Sequence, residues 1–93
     1  MLSADTQLKT VDGYIFSITL AWKGLAAGDI AATLRDSAAG VGSGADEVAF
    51  IVPTAAGTMQ IEWAQGKKFD TGIFLNIGPL PGGGAVYAGL TYK

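Results

Sequence analysis

The chain carries eight carboxylates and six cationic side chains but neither histidine nor cysteine. A serine or threonine nucleophile would therefore lack its usual imidazole base, and no Ser-x-x-Lys spacing offers a lysine in its place. Thiolate and imidazole metal sites are excluded with the same residues, as is any disulfide. Glycosidase chemistry needs two facing carboxylates beside a cleft, and 93 residues enclose little room for one. The expectation is a protein that is not an enzyme, with no catalytic residues, no metal and no cofactor.

The remaining candidates are weaker. Asp36 and Asp46-Glu47 flank a glycine loop and could build a loose Ca²⁺ site with loop carbonyls, but their spacing matches no EF-hand. They read as solvated loop acids. The stretch Gly40-Val41-Gly42-Ser43-Gly44 lacks both the third glycine and the following helix of a phosphate loop, and reads as a flexible turn. Trp22, Trp63, Tyr87 and Tyr92 could form an aromatic platform for sugar rings. Both tryptophans share the parity of their strands' apolar residues, so each reads as core. Lys67-Lys68 is the only adjacent basic pair on a chain of net charge −2 and pI about 4.7, which argues against nucleic acid.

Composition bounds the rest. A chain of this length makes one domain and buries on the order of 60–65 % of its unfolded surface. Yet 49 % of it is hydrophobic and only 15 % charged, against roughly 25 % charged in an average soluble domain. Alanine and glycine account for part of the excess. The remainder suits burial between copies of the chain or against a partner. The longest apolar run ends at Lys23 after about ten residues, too short to span a bilayer. Asp5 interrupts a start without a basic region, so no secretory signal is expected.

The elements that must position these residues are strands. From Gly13 to Lys23 the side chains alternate, with Tyr14, Phe16, Ile18, Leu20 and Trp22 on one parity and Ile15, Ser17, Thr19 and Ala21 on the other. Before it, residues 1–12 read as an extended arm, loosely ordered at its start, with a short strand around Gln7–Thr10. Asp29–Asp36 is ambiguous. Asp29 could cap a short helix with Ile30 and Leu34 at i and i+4, but flanking strands and the turns at Gly28 and Gly40 favour a strand. Alternation resumes at Glu47–Val52, closed by Pro53, and again at Thr58–Ala64, Lys67–Asp70, Gly72–Gly78 and Ala85–Lys93. About eight short strands at roughly 8–12-residue spacing predict an all-β fold, a small antiparallel β-sandwich, jelly-roll-like, over residues 13–93.

Within that sandwich Tyr87 and Phe74 fall out of phase with their apolar neighbours, and Ile15 lies on the second parity of its strand. These three are the expected subunit or partner interface, joined by Leu2 and Leu8 of the arm.

The segment order is itself distinctive. DGYIFSITLAW is followed by IAATLRDSAAG, then GTMQIEWAQG, KFDTGIFLNIG and a terminal YAGLTYK, with F-x-T-G-I-F at Phe69–Phe74 the most specific piece. Over about residues 8–93 this resembles the small β-sandwich proteins of tailed bacteriophage virions, especially the capsid decoration or cement proteins. The resemblance implies a homo-oligomer, a trimer, seated on the major capsid protein at the outer surface of the head and made in the host cytoplasm. It implies no catalytic residues. A carbohydrate-binding or host-adhesion module, a head fibre or a tail-associated protein, is the alternative.

Overall fold

The computed structural model describes residues 1–39 and 44–93. Among them seven strands form: β1 (Thr6–Lys9), β2 (Gly13–Lys23), β3 (Ile30–Asp36), β4 (Ala45–Ile51), β5 (Gly57–Phe69), β6 (Ile73–Ile77) and β7 (Ala85–Tyr92). No helix interrupts them among the described residues, and none there is long and apolar enough to cross a membrane. The strands make two antiparallel sheets, one ordered β1-β6-β3-β4 and the other β5-β2-β7. Five of the six connections cross from one sheet to the other, and only β3–β4 is a hairpin. This is the antiparallel sandwich that the alternation calls for. Asp29–Asp36 resolves as strand, its Ala32 and Leu34 fully buried.

Seven strands stand where about eight segments are legible, because Lys67–Asp70 is not separate. It continues β5 across a bulge, in which Glu62 pairs with Ser17 and Lys67 with Ile15. Residues 63–66 therefore face a single residue, Phe16, on β2. Gly66 turns this arch with φ +81, a conformation in which a β-carbon is disfavoured. The β2–β7 register shifts at the same place, between Ile15 and Ser17.

That irregularity flips the phase of β2. Ile18, Leu20 and Trp22 face the core as their parity predicts, but upstream of the bulge it is Ile15 that faces in, while Tyr14 and Phe16 face out. The core lies between the sheets and is built from Ile15, Ile18, Leu20, Leu34, Phe50, Phe69, Ile73, Leu75 and Val86, with Leu25 and Val52 added from loops. Each such side chain contributes about 1.5–3 kcal/mol on leaving water. Trp22 joins them, and its indole N–H donates to the Thr54 carbonyl at 3.0 Å.

Two devices tie the open sides of the sandwich. On one, the arm spans both sheets. Leu2 exchanges backbone hydrogen bonds with Ala88 of β7 at 2.8 and 2.7 Å, while β1 pairs with β6. The Gln7 amide adds bonds to the carbonyls of Lys9, Ser37 and Ile73 at 2.8, 2.7 and 3.1 Å. The start of the arm, expected to be loosely ordered, is thus hydrogen-bonded to the body. On the opposite side Lys67 of β5 reaches Glu47 of β4 at 3.6 Å.

Candidate functional site

The F-x-T-G-I-F motif is a structural knot. Phe69 and Ile73 are fully buried, and between them the backbone N–H groups of Asp70, Thr71 and Gly72 donate to the Asp36 carboxylate at 3.1, 2.8 and 3.2 Å. Burial would raise this carboxyl's pKa, but the three N–H groups and the nearby Lys67 outweigh it and hold the value below the ordinary one. A β-carbon at Gly72 would stand 2.7 Å from the Ser37 carbonyl oxygen and 2.8 Å from that of Lys9. Glycine is therefore required where three backbone segments converge. The three acids read as solvated loop acids are each engaged by a different partner: Asp36 by this turn, Asp46 by Arg35, and Glu47 by Lys67. Among the described residues no group of three or more His, Cys, Asp or Glu could hold a metal ion. The Gly40–Ser43 stretch of the glycine loop lies outside the described residues.

The expected interface residues divide. Ile15 is fully buried, which corrects its placement at a surface. Unbroken alternation puts it outside, and the bulge at Phe16 turns it in. Phe74 does point away from Ile73 and Leu75, yet only 8 % of it is exposed. It sits in register between Gln7 of β1 and Arg35 of β3, in the interior of a sheet where long neighbours lean across the pleat. It offers little surface, a second correction. Tyr87 is exposed as expected, on the outer face opposite Ala21.

Leu2 and Leu8 are brought together. They line a groove of about 440 Å³ between the arm and β7, with Met1, Leu90, Gly89 and Tyr92 completing its apolar wall. Met1 is 73 % and Tyr92 44 % exposed. Among the described residues the outer edge of β7 is paired only at Ala88. An apolar trough thus runs beside backbone groups free to accept another strand. Tyr92 shares the parity of Val86 and Ala88 yet emerges here, because the strand runs past the core.

A second surface was not legible in the alternation. Tyr14 and Phe16, turned outward by the bulge, stack with centroids 6.3 Å apart and planes 26° from parallel. They border an open hollow of about 410 Å³ lined also by Lys9, Asp12, Gln65 and Lys93. Lys68 Nζ stands 6.0 Å from the Tyr14 ring centroid. The Gly66 arch presses against these rings, since a β-carbon there would lie 2.9 Å from Phe16 and 3.1 Å from Tyr14. The one available signal was Gly66 itself, an isolated glycine in a strand pattern. Both tryptophans turn inward as their parity predicts: Trp22 is core, and Trp63 packs against the core half-buried.

Comparison with known protein families, curated proteins and solved structures finds no match to this chain.

Proposed function

We propose that the chain is a structural virion protein, a decoration or cement protein that binds the outer surface of a bacteriophage head and stabilises it. The observation that carries the reading is the groove between the arm and β7. It joins two exposed apolar side chains, Met1 and Tyr92, and the half-buried Leu90 to a largely unpaired strand edge. Such a surface suits strand addition, in which main-chain hydrogen bonds supply affinity and the trough selects side chains. The resemblance in segment order and the small all-β frame support the same reading.

Cementing is work for many modest contacts. A trimer seated on a repeated lattice gains avidity, because its second and third attachments are effectively intramolecular. The protein would act without a catalytic step, on the major capsid protein, at the capsid exterior.

The test uses purified protein and phage heads stripped of decoration. The protein is expected to elute as a trimer by light scattering and to raise the melting temperature of the heads. Tyr92→Asp, which places a charge in the trough at a side chain 44 % exposed, is expected to abolish both effects while its circular dichroism stays unchanged. A wild-type monomer that leaves the melting of the heads unaltered would reject the proposal.

A further inference from the structure

We propose that the hollow beside Tyr14 and Phe16 is a binding site for an acidic sugar residue, such as a uronic acid within a polysaccharide. The inference stands independently of the decoration reading.

Its first support is the distribution of charge. The chain has net charge −2 and only six cationic side chains, yet Lys9 and Lys93 line this hollow and Lys68 stands over its tyrosine. Half of the positive charge of an acidic protein thus surrounds two rings. Lys67, adjoining Lys68, is already paired with Glu47, so it is these three ammonium groups that bear on the hollow. They give a carboxylate-bearing ligand a local attraction that the net charge conceals.

The second support is the pair of aromatics. Tyr14 is 37 % exposed and Phe16 is half-buried. Their near-parallel planes and the glycine arch behind them hold a fixed apolar shelf. The apolar face of a pyranose ring suits such a shelf, as an aromatic face receives C–H groups through dispersion and its negative quadrupole. The bulge is what makes the shelf. Without it both rings would belong to the core parity.

The third support selects sugar over nucleic acid. Asp12 and Gln65 line the same hollow. A carboxylate and an amide accept hydrogen bonds from ring hydroxyls, whereas a phosphate backbone has no hydroxyl donors to offer them and needs a longer run of clustered Lys and Arg than this hollow holds. Two aromatic rings beside the polar side chains of Lys9, Asp12, Gln65 and Lys93 give the hollow a mixed lining, matching a sugar ring with its apolar face and polar edge.

The test is an amide chemical-shift titration of the intact protein with three probes: oligogalacturonate hexamer, maltohexaose and a thymidine hexanucleotide, each to about 10 mM, enough to reveal a millimolar Kd. Oligogalacturonate is expected to shift the amides of Tyr14, Phe16, Gln65 and Lys68, with binding weakened by added salt because the ammonium groups are exposed. Tyr14→Ala is expected to weaken it about three- to tenfold, the loss of one stacking contact. Lys68→Gln, a surface change that spares the fold, is expected to weaken the acidic ligand alone, and Tyr87→Ala to leave it unaffected. Absence of shifts with oligogalacturonate would overturn the site. Equal binding of maltohexaose would overturn the acidic selectivity, and tighter binding of the hexanucleotide at the same amides would overturn the ligand class. Capsid attachment by Tyr14→Ala remains at the wild-type level if the two functions are separate, so failure of one proposal is distinguishable from failure of the other.

Discussion

Replacing Asp36 tests the anchor on which the β5–β6 connection depends. Its carboxylate accepts three backbone N–H donors, from Asp70, Thr71 and Gly72. In Asp36→Ala the N–H groups of Asp70 and Thr71 can turn to water, since both residues are exposed. That of Gly72 is buried and is left without its acceptor, a loss of about 1–3 kcal/mol. Loss of a comparable capping side chain costs about 0.5–2 kcal/mol, and together these give about 2–3 kcal/mol for alanine after discounting for the exposed pair. Asp36→Asn keeps one acceptor oxygen but turns an NH₂ toward one donor, and is expected to cost about 1–2 kcal/mol. With a urea m-value of about 1 kcal/mol/M, the alanine variant shifts the unfolding midpoint down by about 2–3 M, read from tryptophan fluorescence. The sign with pH follows from the depressed folded pKa. The stabilisation is fully present above the unfolded aspartate pKa of about 3.9 and is lost as pH falls through the lower folded value. Wild type therefore loses stability in that acid window more steeply than Asp36→Asn, and the two converge below it. Parallel pH curves, or a loss under about 0.5 kcal/mol in the alanine variant, would refute the anchoring role.

Three further outcomes are expected. Gly72→Ala drives a β-carbon into two carbonyl oxygens within 2.8 Å and should destabilise by more than about 2 kcal/mol, while Gly82→Ala, with nothing within 4 Å, should stay within about 0.5 kcal/mol; thermal melts of the pair decide. Ile15→Ala should cost about 2–4 kcal/mol and Tyr87→Ala under about 0.5 kcal/mol, reversing the order that equal interface roles would give, as denaturant midpoints would show. Gly66→Ala, strained at φ +81 and crowded by Phe16 and Tyr14, should lower stability by about 1–3 kcal/mol and shift the ring proton resonances of both aromatics in NMR spectra.

Much of the frame was legible because its strands alternate in a period that only a sheet satisfies. The phase of Met59, Ile61 and Trp63 in β5, and of Val86 and Ala88 in β7, follows the residue types, since each polar partner has the opposite exposure. The choice of strand for Ile30–Asp36 came from context, as its alanines and capping Asp29 also suit a helix. What could not be read was the flip in β2. Tyr14, Ile15 and Phe16 are all bulky and apolar, so either parity offers an acceptable core residue, and alternation carries no information where both sides are greasy. The bulge is set instead by pairing with β5 across about fifty residues of sequence, where residues 63–66 oppose Phe16 alone. The acidic anchor was hidden for a related reason. Asp36 and the turn it holds lie 34 to 36 positions apart, and no local pattern connects them. The candidate sugar shelf depends on that same flip, so it went unread with it.

The arm has a consequence for how the protein is made. Its partners, Phe74 and Ala88, lie far downstream of it in the sequence, so the arm cannot dock until β6 and β7 have also left the ribosome. Closure of the sandwich therefore waits on a search between segments far apart in sequence, the kind of contact that slows folding. Until that search ends, the β6 edge stands bare, and a second nascent molecule can lend its own first strand instead. High-level synthesis is the condition under which such swapped assemblies would first accumulate.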